Sequence, residues 1–548
     1  MRINAALRRV RVHGSWPRAR RAWRRPPLAL VGAAIGALAL GLIVGLIVAP
    51  GPAGPPDDRA AAFVPADALA YVNISLDRRR PSVRRALTLV GRLPALGALA
   101  RTVRARVAAS ISPPGATPPL AADVRPWLGD EVAFAVLNTP GTVAGSLILA
   151  ASRERVRTLA FLSSSGARAT GSYRRVRLWR YPTGTYTALV GRFIALGQLA
   201  SVRAAIDVAD GGRSLAASPA YRRTAAGEPA DAVLEAYLSA GGVRRLLEPR
   251  RGLLGMLGVL LDRPALRAAR LALAPGAGGF RLLVRSAFAA QTRGHPSPQQ
   301  FHPALPAALP ANAAAVLELG DLPSAAPRLM RALKRAGIAA RVGPLLARLG
   351  AALRVEGVDI GGLLGLLRGE SALALIGPSA SPALLLVAHD HGARRARYLL
   401  AQAAYALERA LRTSALQVGT TESITQIPLD GTEIQQLALQ PGVQVDYAVT
   451  RHLVIVATGV RALASVLSRW RSLAASASWR AVLANAPARV GSLLYLDPGR
   501  LFGPGGRFRS IKGAGIQELE ALANVRSIGL TVSGGGAEVT ADIQLEIK

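Results

Sequence analysis

The run Arg213-Ser214-Leu215-Ala216-Ala217-Ser218 recurs unchanged as Arg471-Ser472-Leu473-Ala474-Ala475-Ser476, and this repetition constrains the fold more than any other feature of the 548-residue chain. Ordered matches flank it. Tyr221-Arg222 answers Trp479-Arg480, and Tyr237 answers Tyr495. Upstream, Val64-Pro65-Ala66-Asp67-Ala68 answers Leu309-Pro310-Ala311-Asn312-Ala313, and Leu128-Gly129-Asp130-Glu131 answers Leu367-Arg368-Gly369-Glu370. Downstream, Leu271-Ala272-Leu273 with Gly278-Gly279 answers Ile528-Gly529-Leu530 with Gly535-Gly536. Matches that recur in the same order read as one unit present twice. The copies are taken as 63–288 and 307–548, with a polar, Pro-rich linker at 289–306.

Within each copy, apolar runs and helical stripes alternate. Ala68–Leu76 and Ala314–Leu319 read as buried strands. Val83, Ala86, Leu87 and Val90 have the i, i+3, i+4, i+7 spacing of a helix, and Val342, Leu345, Leu346, Leu349 and Leu353 form a similar stripe. Hairpins are expected at Val132–Leu137 with Ser146–Ala150 and at Ala372–Ile376 with Ala383–Val387, each followed by a helix. A meander is expected at Ile424–Leu429, Glu433–Leu439, Val445–Thr450 and Leu453–Ala457, turning at Asp430-Gly431. Strands grouped in hairpins with helices between the groups predict an α+β fold of two duplicated domains with largely antiparallel sheets.

The N-terminus reads differently. Residues 1–27 hold nine arginines and no acid, and Leu28–Ala49 follows as 22 uncharged residues. A helix of that length spans about 33 Å, enough for one bilayer crossing. The arginine excess places the basic tail in the cytoplasm and everything after Pro50, the 50–62 linker included, outside. The apolar run is longer than the core of a cleaved signal peptide, and Pro50 follows its best small-residue site. One N-terminal transmembrane helix is therefore expected. Gly32/Gly36 and Gly41/Gly45 leave self-association of that helix open as a route to oligomers.

A strand after [VL]-P-A-[DN]-A, a helical pair, L-x-x-E before a hairpin, and S-L-A-x-S before an aromatic residue, behind one anchor, resemble a bacterial envelope protein family. That family is common in actinobacteria and is catalogued only as a domain of unknown function. The resemblance implies an exported, membrane-tethered protein, and it brings no catalytic residue with it. The second copy departs from the L-G-x-E form, having Arg368 where the first has Gly129, which reads as a turn constraint.

Chemistry is sparse. The chain has no cysteine, which excludes disulfides, thiolate zinc sites, thiol nucleophiles and acylated lipoprotein anchors. No zincin, nucleophile-elbow, P-loop or dinucleotide motif occurs. His389-Asp390-His391 places two imidazoles on one face of a strand, but two ligands fall short of a metal site, so no metal or cofactor is expected. Asp130-Glu131 would point to opposite faces, which is wrong for a catalytic pair, and with Glu370 they read as turn caps. The expected role is binding or scaffolding at the envelope, not catalysis. The rivals are a carrier of a lipid or other apolar ligand and a cell-wall or lipid hydrolase.

Net charge is +36, from 68 Lys and Arg against 32 Asp and Glu. All but three of the basic residues are arginines, a compositional bias that weakens the charge as a signal of nucleic acid, and none is expected as a partner. Two acid-free clusters stand out. The first holds Arg78, Arg79, Arg80, Arg84, Arg85, Arg92, Arg101, Arg104 and Arg106, and the second Arg328, Arg331, Lys334, Arg335, Arg341, Arg348 and Arg354. Solvated helices ordinarily mix signs. These faces are expected to meet anionic lipid headgroups or cell-wall polymers.

Overall fold

The computed structural model describes residues 58–92, 124, 126–138, 145–247, 265–289, 299–335, 350–351, 353–377, 382–390, 392–413, 424–440, 443–468, 471–502 and 524–548. Its framework is one antiparallel sheet of 20 strands. In the first half these are Ala70–Ser75 (β1), Leu128–Leu137 (β2), Gly145–Ser152 (β3), Arg168–Tyr173 (β4), Val176–Arg180 (β5), Tyr186–Val190 (β6), Phe193–Gly197 (β7), Leu234–Ser239 (β8), Leu266–Pro275 (β9) and Gly279–Phe288 (β10). In the second half they are Ala313–Leu319 (β11), Ser371–Ile376 (β12), Ala383–His389 (β13), Ile424–Leu429 (β14), Thr432–Gln440 (β15), Val443–Val449 (β16), Leu453–Ala457 (β17), Ser492–Leu496 (β18), Val525–Gly535 (β19) and Glu538–Ile547 (β20).

The strand order across the first half is β4-β5-β6-β7-β3-β2-β1-β8-β9-β10. Across the second half it is β14-β15-β16-β17-β13-β12-β11-β18-β19-β20. The two join through β10 and β20, from Gly279 opposite Glu546 to Ala287 opposite Glu538. The whole therefore reads the same from either edge, with β4 and β14 outermost. Arg281 strengthens the junction by a forked pair with Asp542, Nη2 to Oδ2 at 2.6 Å.

This corrects the expected fold. The α+β reading of two separate domains gives way to one continuous, sheet-dominated structure, because the last strand of each half takes the last strand of the other as its partner. Among the described residues no helix is long and apolar enough to cross a membrane, so the predicted transmembrane helix forms no part of the described fold. Its residues, Leu28–Ala49, lie outside the described residues, as do the 1–27 tail and the stripe from Val342 to Leu349.

Side-chain alternation along the central strands buries both faces of the first half. Tyr71, Ala133, Ala135, Leu147 and Leu149 pack with Val202, Ala205 and Ile206 of the helix Leu199–Ala209. Val72, Ile74, Val132, Phe134 and Val136 pack on the opposite face with Trp127 and Leu162. The second half buries one face through Val316, Ala374, Leu385, Val387, Leu463 and Trp479. On its other face Leu373 and Leu384 remain 37% and 49% exposed. The helix Pro81–Gly91 lies over the junction, its Val83, Ala86 and Leu89 packed with Phe280, Ile528 and Ile547.

Candidate functional site

The repeated motifs turn out to be each other's partners. The Val64-Pro65-Ala66 segment runs beside Arg213-Ser214-Leu215, with Ala66 N–H donating to Arg213 O at 3.0 Å and Leu215 N–H to Val64 O at 2.7 Å. In the second half Ala311 N–H donates to Arg471 O and Leu473 N–H to Leu309 O at 2.9 and 2.8 Å. Leu215 and Leu473 are fully buried, and Ser476 Oγ accepts from Trp479 N–H at 3.2 Å at the start of the helix Ala477–Leu483. The glutamate of L-x-x-E completes the arrangement. Glu131 accepts from Ala60 N–H at 2.8 Å, and Glu370 from Ala304 and Leu305 N–H at 2.6 and 2.9 Å. Each buried carboxyl thus holds the short turn that leads into β1 or β11, rather than capping the hairpin. Burial pushes Glu131 up to about 8.

The halves diverge at one spot on this shared frame. In the first half, Gly129 is so close to Ala151 that a Cβ at 129 would stand 2.9 Å from the Ala151 Cβ. Register makes Arg368 and His389 the counterparts of Gly129 and Ala151. In place of that closed contact stands a cleft of about 460 Å³, lined by Gly361, Gly362, Gly365, Leu366, Arg368, Gly369, His389, Asp390, Gly392 and Arg395. One wall is the helix Ile360–Gly365, the other the start of the helix Ala393–Thr413.

Cleft chemistry is uneven. His389 Nδ1 pairs with Glu370 Oε2 at 2.8 Å, which fixes the ring and occupies the carboxylate's second oxygen. Asp390 Oδ1 accepts from Gly392 N–H at 3.0 Å, while Oδ2 is buried with no partner among the described residues. The Arg368 and Arg395 side chains are exposed, and neither makes a hydrogen bond or ion pair among the described residues. Along the same helix, Tyr398 and Tyr405 are 63% and 65% exposed. Of the His389-Asp390-His391 triplet, His391 lies outside the described residues. Among the described residues no three His, Asp or Glu side chains come close enough to hold a metal.

A second polar constellation is buried in the first half. Asp58 accepts from the Tyr71 and Tyr221 hydroxyls and from Asn73 Nδ2. Arg270, 4% exposed, bridges Glu228 and Glu235, stands 3.7 Å from Asp58, and stacks its guanidinium 4.4 Å from the Tyr221 ring centre. Burial pushes Asp58 up to about 6, and raises Glu228 and Glu235 against the opposing pull of Arg270. The Arg270, Asp58, Glu228 and Glu235 side chains are all largely shielded from solvent, so they act mainly on one another. Sequence reading placed Asp58 in the linker and gave it no role; nothing in its neighbourhood signals a partner 163 residues away.

The basic clusters are only partly surface features. Arg79, Arg84, Arg85 and Arg92 are exposed, and Arg78 is half-buried. Arg80 turns inward, donating from Nη2 to Ala230 O at 2.9 Å. Arg331 and Arg354 are exposed, and Arg328, Lys334 and Arg335 belong to the helix Leu322–Arg335. Arg101, Arg104, Arg106, Arg341 and Arg348 lie outside the described residues.

A family model described as a protein of unknown function, DUF3352, matches residues 29–547. The chain belongs to this family. No curated protein matches it. Among solved structures it is similar to crystal forms III and I of TP0453, each at 12% identity. These matches cover 45% and 43% of this chain and 84% and 80% of TP0453, with TM-scores of 0.24 and 0.25. A likeness at that score carries no argument about this DUF3352 chain.

Proposed function

We propose that this DUF3352 protein is a membrane-anchored, extracytoplasmic binding or scaffolding protein of the cell envelope, built by duplication of one β-rich unit and without catalysis. The identical strand order of the two halves and their shared motif partners support the duplication. The apolar run at 28–49 behind an arginine-rich tail supports the anchor and the outward orientation.

One observation carries binding over catalysis. Glu131 and Glu370, the carboxyls that recur at the same place in both halves, are occupied by backbone N–H groups. A general acid must present its proton to a substrate atom, and these carboxyls are turned to the chain's own N–H groups instead. The carrier alternative needs an apolar enclosure, whereas this cleft is open and lined by glycine, arginine, histidine and aspartate with Leu366 its one large apolar side chain.

Protease added to intact protoplasts tests the topology: it should remove the mass beyond residue 50 and spare the basic tail, and protection of the bulk would overturn it. Co-sedimentation with anionic and neutral liposomes across a salt series tests the binding role. Salt-sensitive preference for the anionic surface is expected, and equal binding to both would refute it.

A further inference from the structure

We infer that the cleft between the helices Ile360–Gly365 and Ala393–Thr413 binds a phosphopolyol group, its phosphate held by Arg368 and Arg395 and a hydroxyl by Asp390. The inference deepens the binding role proposed above and rests on it.

Three features point to this ligand. Two guanidinium groups that have no hydrogen-bond or ion-pair partner among the described residues flank one cleft, and arginine is the side chain best suited to grip phosphate through paired N–H groups. A buried Asp390 oxygen beside them has no donor among the described residues. A bare phosphate would meet that carboxylate as like charge, but a hydroxyl carried on the same ligand would supply the missing proton. The site is also specific to one half. Where the first half closes the space with Gly129 against Ala151, the second opens it and places Arg368 and His389 there. Glu370 locks His389 from behind, so the cleft floor is preorganised.

Gly365 provides a clean obstruction. It lines the cleft, and a Cβ built on it meets nothing within 4 Å, so Gly365→Leu adds bulk at the cleft without a clash at its Cβ. The chemistry has two envelope sources, a lipid headgroup or a polyol-phosphate polymer, and the test separates them.

Full-length protein in neutral-detergent micelles is titrated with glycerol phosphate, inorganic phosphate and glycerol, followed by saturation-transfer NMR. Glycerol phosphate is expected to bind at least tenfold more tightly than either fragment. Arg368→Gln with Arg395→Gln, and separately Gly365→Leu, should weaken it tenfold or more at an unchanged melting temperature. Asp390→Asn should erase the preference over inorganic phosphate. Vesicles of phosphatidylglycerol and of phosphatidylserine then assign the source. A phosphatidylglycerol preference lost in Gly365→Leu marks a lipid headgroup, and binding of glycerol phosphate oligomers without that preference marks a polymer.

Equal affinity for phosphate and glycerol phosphate, or binding indifferent to both cleft variants, overturns the inference. If anionic-vesicle binding survives the cleft variants and is lost in Arg79→Gln/Arg84→Gln/Arg85→Gln, the cleft proposal fails while the envelope-binding role stands. If neither soluble probe nor vesicle binds, both fail.

Discussion

Replacing Arg270 by methionine removes the guanidinium that Asp58, Glu228 and Glu235 share, while keeping most of the side-chain volume. The three carboxyls are themselves largely shielded, with side chains 15%, 17% and 7% exposed. Breaking a buried charge network from one side leaves uncompensated charge and costs about 3–5 kcal/mol. The pH dependence distinguishes this from a packing defect. In the wild-type protein Asp58 titrates near 6 instead of 3.8, which at about 1.4 kcal/mol per pH unit already opposes folding by about 3 kcal/mol above pH 6. A carboxyl whose folded pKa lies above its unfolded value binds protons more tightly when folded, so stability falls as pH rises. Without Arg270 all three lose an attraction that lowers them. The cost of Arg270→Met is thus expected in full near pH 8. It should shrink near pH 4 to about 1 kcal/mol, the value of the lost stacking on Tyr221. Urea unfolding of the full-length protein at pH 4, 6 and 8 measures it, with hydrogen exchange in β8 and β9 locating the effect. A loss under 1 kcal/mol at pH 8, or one equal at all three pH values, would refute the reasoning.

Other outcomes follow from the same geometry. Glu131→Gln keeps an acceptor for Ala60 N–H but removes a group that titrates near 8, so it should flatten the fall in wild-type stability between about pH 4.5 and 8. Urea midpoints across that range check this. Glu318 is fully buried with neither carboxyl oxygen hydrogen-bonded among the described residues, and burial followed by the nearby Glu370 pushes it well above the usual range. Glu318→Met should therefore stabilise the protein by about 1–3 kcal/mol at pH 8 and by less at pH 4, read from melting temperature. Gly279 lies where a Cβ would run into the Leu545 carbonyl oxygen, so Gly279→Ala should speed hydrogen exchange in β10 and β20 while leaving β1–β3 protected.

Local elements were far more legible in the sequence than their assembly. The four-strand meander is found at Ile424–Leu429, Thr432–Gln440, Val443–Val449 and Leu453–Ala457, within two residues of its predicted bounds. Asp430 and Gly431 turn it with φ of 47° and 75°, the left-handed pair that Asp-Gly favours. The corresponding strands β4 and β5 escaped notice for a physical reason. Every residue of Arg168–Tyr173 but the last is exposed, so it shows no apolar alternation. Its turn is Arg174-Arg175 at φ 45° and 65°, a left-handed pair without glycine or asparagine. The cleft left a trace, the departure of Arg368 from Gly129. The meaning of that departure depends on Arg395, which sits 27 residues further on and converges only in the fold.

The union of the halves was invisible for a different reason: period-2 alternation identifies a strand but not its neighbour. Each half taken alone would end in an open edge, β10 or β20, ten residues long and regular apart from one register shift in each, where Phe288 meets β9 and where Ile547 meets β19. Long regular edges with apolar residues such as Phe280, Val284 and Ile543 are templates for pairing with another chain. The protein satisfies both by joining them to each other, and the helix Pro81–Gly91 covers the join. The strands left at the margins are of another kind. β4 is exposed and bulged at Ala169/Gly171, and β14 carries Pro428, which cannot donate to a further strand. Pairing capacity is thus withheld at β4 and β14 and spent at β10 and β20. That distribution is why two copies of one unit make a single sheet, although a Pro-rich stretch between them read as a boundary.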